Sequence, residues 1–399
     1  MSEVGDASEL AQFNFESDPG LRAAMWERWD EVRDVAGAFE AKGPVAPVWF
    51  FTRYQDVHDG LQNWELFSSA NVMAYAEMGQ HTWLPEELDP PVHGKYRQLI
   101  APFLTPAAVK DMEVGVREQC ISLIEEFKAR GECDFFEEFA KLYPTTIFMK
   151  LMGLPVDRSE TLMQWAHELM HLSDLEDPDG SIRMEATMSI MGFLAELVAS
   201  RRADPQDDLA TSIVSATIDG EPLGDEDLLQ MLFLLYMAGL DTVAGELGAF
   251  FHHLATHPDD RRQIVSDPSL IPSATEEMLR AYSIVTTGRV VTRDAEFGGC
   301  PMKAGDRAVF ALAPANRDSS QFPDATTVVL DRTVNRHMAF GLGPHRCLGS
   351  HLARLELKVA LEEWHARIPD YHLDESMEVK FHAGGVAGFE SLPLRWSTA

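Results

Sequence analysis

The chain has 399 residues, 45% hydrophobic and 24% charged, which gives it material for a large core and too little charge for a disordered chain. Its formal net charge of −31 argues against non-specific nucleic-acid binding and against docking on anionic membrane surfaces. Its four cysteines, Cys120, Cys133, Cys300 and Cys347, are too few for a disulfide scaffold at this length, which fits a reducing compartment.

Residues 1–20 are polar and are expected to be irregular. They show no basic, apolar leader, and no run of about 18 apolar residues stands out, so the expectation is a cytoplasmic protein without a membrane anchor. No repeat or low-complexity linker divides residues 21–399, which read as one domain. Leu21 to Ala41 has helical spacing, and Val48 to Thr52 reads as a strand after the breakers Pro44 and Pro47. Ala107 to Arg130, Phe135 to Met152 and Ile182 to Arg202 repeat apolar residues every three to four positions and are expected helices. Asp174 to Gly180 is acidic, holds Pro178 and reads as a mobile loop between two helices.

Asp225 to His257 is the longest helical candidate, with an acidic first turn and Pro258 just beyond its end. At about 1.5 Å per residue it would span about 50 Å. Inside it lies Ala238-Gly239-Leu240-Asp241-Thr242. Glycine and threonine are poor helix formers, and a threonine hydroxyl can bond the carbonyl four residues back and bend the helix. Asp241 adds an acid to an apolar stretch, where it needs a partner or a task. A kinked core helix with one solvated edge accounts for the same residues. Glu277 and Arg280 stand at i and i+3 on one helix face, the spacing of an ordinary surface ion pair. Strand-like pieces follow at Gly288–Val291, Arg307–Leu312 and in the tail from Gly384 to Leu394. The sum is a mainly α fold with a small antiparallel β-rich part.

Phe340-Gly341-Leu342-Gly343-Pro344-His345-Arg346-Cys347-Leu348-Gly349 is a tight loop that presents one sulfur and then feeds an amphipathic helix. Backbone N–H groups at a helix start favour an anion and could hold Cys347 as thiolate. A lone cysteine is more often a small buried hydrophobe. Zinc is disfavoured, because no second cysteine lies within two to four residues.

The spacing Phe-x-x-Gly-x-His-x-Cys-x-Gly resembles the heme-ligand loop of the cytochrome P-450 superfamily, the heme-thiolate monooxygenases. The resemblance runs from Trp49 to Leu394 and is similar in detail to the camphor 5-monooxygenase branch of the soluble bacterial class, through Gly239-Leu240-Asp241-Thr242-Val243, Glu363-Trp364 and Leu392-Pro393-Leu394. It implies heme b (iron protoporphyrin IX) with Cys347 as axial ligand of the iron, flanked by Phe340 and Gly349, and with Ala238 and Gly239 against the other face. It implies that the Thr242 hydroxyl hydrogen-bonds dioxygen and that Asp241 helps deliver protons. Asp89-Pro90-Pro91-Val92-His93 with Arg97 resembles the family's propionate-binding helix start. With Arg289 and His345 it gives four candidates for the heme carboxylates. Glu277, Arg280 and a later arginine, Arg332, match the family's buried ion-pair group.

The same resemblance implies hydroxylation of a hydrophobic small molecule, terpenoid, ionone-like or steroid-like, by a monomer. No flavin-binding or iron–sulfur pattern is present, so electrons are expected from a separate ferredoxin, or a flavodoxin, and its reductase. By the branch resemblance the substrate pocket is formed by His81, Trp83, Val72, Leu234, Met237, Ala238, Val285, Gly385 and Val386. His81 falls where the camphor enzyme has the tyrosine that meets its substrate ketone. A heme-thiolate peroxygenase and a heme sensor or electron carrier are the alternative classes. The Asp241–Thr242 pair counts against both.

Overall fold

The computed structural model describes residues 7–43, 46–75, 83–172 and 176–398. Helices form where the sequence supplies both a period and a stop. Pro106–Phe127 starts on Thr105, whose hydroxyl accepts the Ala108 N–H at 3.2 Å, with proline in the first turn. Ser181–Ala203 is capped from outside by the buried Asp177 carboxylate, which accepts the N–H groups of Ile182 and Arg183 at 3.0 Å each. Part of the expected loop before it, residues 174–175, lies outside the described residues.

Three expected elements come out divided. Leu21 to Ala41 is two helices, Pro19–Ala23 and Met25–Val35, and then a strand, Ala38–Ala41. Ala24 breaks the helix at φ −157°, and the end of the segment is taken by pairing with Val48–Phe51. Phe135 to Met152 begins as a wide turn, Phe136–Ala140, and tightens into Leu142–Met152, which stops on Gly153 at φ +75°. Residues 1–20 are less irregular than expected. Ala7–Leu10 is helical, and Leu10, Phe13 and Phe15 are buried in the main core.

The third division is the central one. Asp225–Leu240 and Thr242–Thr256 are separate helices meeting at Asp241, whose backbone leaves the helical region at φ −129°. The Leu240 carbonyl accepts the Thr145 hydroxyl at 3.2 Å. The Thr242 hydroxyl donates to the Ala238 carbonyl at 3.4 Å. The pair is apolar and long enough to cross a membrane by length and composition, yet 56% of its apolar window is buried inside the protein. Phe251 on the second half stacks on Phe135 at 4.2 Å and meets Trp364 edge-on at 5.1 Å, which ties the broken helix to Ser350–Arg367.

The largest sheet has the order Ala38–Ala41, Val48–Phe51, Arg307–Ala311, Thr286–Val291, Phe67–Ser68. Arg307–Ala311 runs parallel to Val48–Phe51; every other strand pairing among the described residues is antiparallel. A second core cluster, with Phe51, Phe67 and Phe310, packs on this sheet. The sheet delivers Arg289, in register with Ala308, to the edge of the functional site.

Candidate active site

The cysteine loop is shaped by two left-handed glycines, Gly341 at φ +65° and Gly343 at φ +69°. A Cβ at Gly343 would also lie 2.6 Å from the Leu61 carbonyl oxygen. The loop closes through the Cys347 N–H on the Phe340 carbonyl at 2.9 Å, and the Gly349 N–H faces the sulfur. Cys347 is solvent-accessible although it lies deep under protein, which places its sulfur on the wall of an interior space. Cys120, Cys133 and Cys300 are buried. Phe340 carries the Arg354 guanidinium 4.5 Å over its ring.

Burial pushes the Cys347 thiol up, and the Gly349 N–H, Arg97 and Arg346 do not offset it. The helix dipole falls off within about its first turn, and this helix starts only at Ser350. A metal ion held by the sulfur would supply positive charge there, and a coordinating thiol is deprotonated.

Four basic side chains gather beside this loop. His93 and His345 lie with ring centroids 4.1 Å apart. Arg289 is buried and, among the described residues, its side chain bonds only the Thr287 hydroxyl and the Gly288 carbonyl, at 2.8 and 2.7 Å. Arg97 donates to the Arg346 carbonyl. Among the described residues none of the four has an ion-pair partner, and His93 Nε2 and both ring nitrogens of His345 are buried without any hydrogen bond. Burial, then the charges of Arg289, His93 and Arg97, press His345 down to about 3; burial and Arg97 lower His93. Orphaned donors in a positive field fit two carboxylates, which is what the heme propionates offer. Glu86, which the sequence reading missed, lies among these cations. Burial raises its carboxyl against the pull of Arg289 and Arg97.

Asp89 anchors this corner by accepting the Ser69 N–H at 2.9 Å and the Ser68 hydroxyl at 2.5 Å. Glu87 accepts the N–H groups of Val72 and Trp83, at 3.3 and 3.0 Å, and so brings those two expected pocket residues together. Gly288 lets the chain at Val72 approach the sheet: a Cβ there would sit 2.7 Å from the Val72 oxygen. His81 lies outside the described residues.

Along the broken helix Ala238 is exposed and Leu234 half-buried, whereas Met237 is packed in the core. Gly239 is needed for packing, since its Cβ would fall 2.2 Å from the Phe148 ring. Val285 and Val386 bridge each other, and their neighbours Ile284 and Ala387 press on Gly245 of the same helix. Gly385 accepts the Thr286 N–H at 2.9 Å, and a Cβ there meets nothing nearer than 3.8 Å.

The Asp241 carboxylate pairs with His171, at 3.1 Å. Burial acts to raise its carboxyl, but His171, with His382 and His167, outweighs this and holds it below the usual range. Glu277 and Arg280 are fully buried and pair at 2.7 Å; Arg332 closes on the same carboxylate at 2.8 Å. The Asn316 and Ala325 carbonyls accept from the remaining Arg280 nitrogen.

Comparison with known proteins agrees with this geometry. The Cytochrome P-450 family model matches residues 39–267 and 265–364. A probable cytochrome P-450 127A1 of Sinorhizobium fredii is 37% identical over 352 residues, 88% of this chain and 83% of the relative. The steroid C26-monooxygenase of Mycobacterium tuberculosis is 33% identical over 399 residues, covering 99% of this chain and 98% of the relative. The crystal structure of CYP101J2 superposes with a TM-score of 0.86 at 30% identity, over 97% of this chain and 96% of that one. A thiol on an interior wall, unpaired cations beside it and a helix broken at an acid–threonine pair thus belong together: the chain is a member of the cytochrome P-450 family, a heme b monooxygenase.

Proposed function

We propose that this monooxygenase hydroxylates a mostly apolar terpenoid, ionone-like or steroid-like molecule, using electrons from a separate ferredoxin, or flavodoxin, and its reductase. The observation that carries the reading is apolar: Leu234 and Ala238 share a helix face with Thr242, the face here called the Thr242 groove, and Val285 and Val386 bridge each other beside the residues that meet Gly245 on its continuation. A Cβ at Gly385 meets nothing nearer than 3.8 Å, which supports a substrate larger than a bicyclic monoterpene. The steroid activity named for one relative supports the same class.

Heme, held by Cys347 and with its carboxylates on His93, Arg97, Arg289 and His345, would supply reductive activation of dioxygen. The chain's own residues do the rest. Thr242 presents a hydroxyl to the groove and can release its bond to Ala238 to donate a proton. Asp241 is the acid that resupplies that proton. The apolar walls keep water out and orient the substrate. The reading includes one heme-binding domain over 21–399, onto whose core Leu10, Phe13 and Phe15 also pack, acting as a monomer in the cytoplasm, in keeping with a net charge of −31.

A spin-state titration of the purified ferric protein tests the substrate class. Steroids and ionone-like terpenoids are expected to shift the absorption spectrum toward high spin at micromolar concentration, with fatty acids and polar macrolides weaker. A response confined to the last two would overturn the assignment.

A further inference from the structure

Three elements meet around Asp241. His171 stands at the C-terminal cap of helix Ser159–Met170 and places Nε2 3.1 Å from the Asp241 carboxylate. His382, on strand Lys380–His382, lies against the His171 ring at 4.1 Å, and His167 is one turn back at 5.6 Å. Asp241, His171, His167 and His382 line a cavity of about 320 Å³, which Thr242 does not line and which also reaches Lys141, Glu137 and Glu390. Among the described residues His382 Nδ1 is buried there without a hydrogen bond to another side chain.

We propose that His171 is the positioning residue and proton donor for Asp241, passing protons from water in this cavity to the carboxylate that serves the Thr242 groove. The proposal rests on the reading of Asp241 as the proton-delivering acid. The transfer is balanced: the His171 Nε2 proton moves to Asp241, Asp241 yields one to the groove where dioxygen reduction consumes it, and cavity water reprotonates the imidazole. Histidine suits the task because it exchanges protons near neutral pH.

The electrostatics place the charge on His171. Burial works against the imidazolium, but Asp241, and more weakly Glu390, outweigh burial and Lys141 and raise it above the usual range. Burial and the neighbouring His171 depress His382 to about 3, and burial with His171 and Lys141 lowers His167. The charged pair therefore forms below the raised His171 value and is lost as pH rises through it.

Two measurements test this on the heme-loaded enzyme. Histidine-labelled NMR of the diamagnetic ferrous carbon monoxide form should show one imidazole titrating above the free value. That resonance should vanish in His171→Gln and move down in Asp241→Asn. Turnover with redox partner and saturating substrate should fall as pH rises through the same midpoint. His171→Gln should lose about tenfold in turnover and gain a larger solvent isotope effect. His171→Arg keeps the ion pair but cannot relay a proton, so it should remain slow with a flat pH profile. A His171→Arg enzyme with wild-type turnover and an unchanged pH limb would make His171 a tether and overturn the proposal. An imidazole titration insensitive to Asp241→Asn, with turnover still slowed by that change, would overturn the proposal alone. Unchanged turnover in Asp241→Asn would overturn the reading of Asp241 and this proposal with it.

Discussion

At the residue scale the same chemical type means different things in different places. Three cysteines are buried and one lies on an interior wall. Cys347→Ala should abolish the thiolate-type spectrum of the reduced carbon monoxide complex, whereas Cys120, Cys133 and Cys300 can each be replaced with that spectrum intact. Two glycines make a similar contrast. Gly239→Ala drives a methyl to 2.2 Å from the buried Phe148 ring and should lower stability by about 1–3 kcal/mol, read as a fall in the urea midpoint. Gly385→Leu meets nothing closer than 3.8 Å at Cβ and should fold normally. Its effect belongs to ligand size: affinity for steroid-sized ligands should fall while that for small monoterpenes holds, in the same spin-state titration. The loop residues were legible because their spacing fixes them. Glu86, Glu87 and His171 were not, because each has its meaning only from partners that arrive by folding, Asp241 being far along the chain from His171.

At the element scale the sequence showed where helices run but not where they break. Pro106–Phe127 and Ser181–Ala203 lie close to where apolar period placed them. A bend near Asp241 was legible from Gly239 and Thr242, but its completion into two separate helices was not, because apolar residues continue on both sides and the Leu240 carbonyl is taken by Thr145 of another helix. The contact between helices Ile271–Ala281 and Ser350–Arg367 carries a charge that periodicity also hides. Glu276 accepts from Arg354 at 2.8 and 2.5 Å and pairs with His337 at 3.0 Å. Burial acts to raise its carboxyl, but these partners hold it down to about 2. A depressed carboxylate stabilises the fold above its unfolded value, near 4.3, and the gain is lost as pH falls toward the folded value. Glu276→Gln should therefore cost on the order of 1 kcal/mol at pH 7, after allowance for its partial exposure. Urea unfolding at pH 7 and pH 3 should show the gap from wild type narrowing at the lower pH.

At the scale of the whole molecule, a surplus of acid must coexist with an electron donor near the cysteine loop. Lys95, a natural candidate for a docking cation, is engaged by Asp219. Arg346 is exposed, with its carbonyl bonded by Arg97 and its own guanidinium in no ion pair among the described residues. Arg346→Glu should slow electron transfer from the partner and flatten its dependence on salt, measured by stopped-flow reduction, because attraction between opposite charges is what ions screen. The sheet sets a different condition on the molecule. Strand Arg307–Ala311 docks on Val48–Phe51, about 260 residues earlier in the chain. On the ribosome the hairpin of Ala38–Ala41 and Val48–Phe51 is made early, and its apolar edge, Val-Trp-Phe-Phe, waits until three quarters of the protein has emerged. At about 5–20 residues per second that wait is roughly 13–50 s, during which an uncovered strand is open to the wrong neighbour. The cysteine loop emerges later still, so nascent chains need protection before they can take up heme.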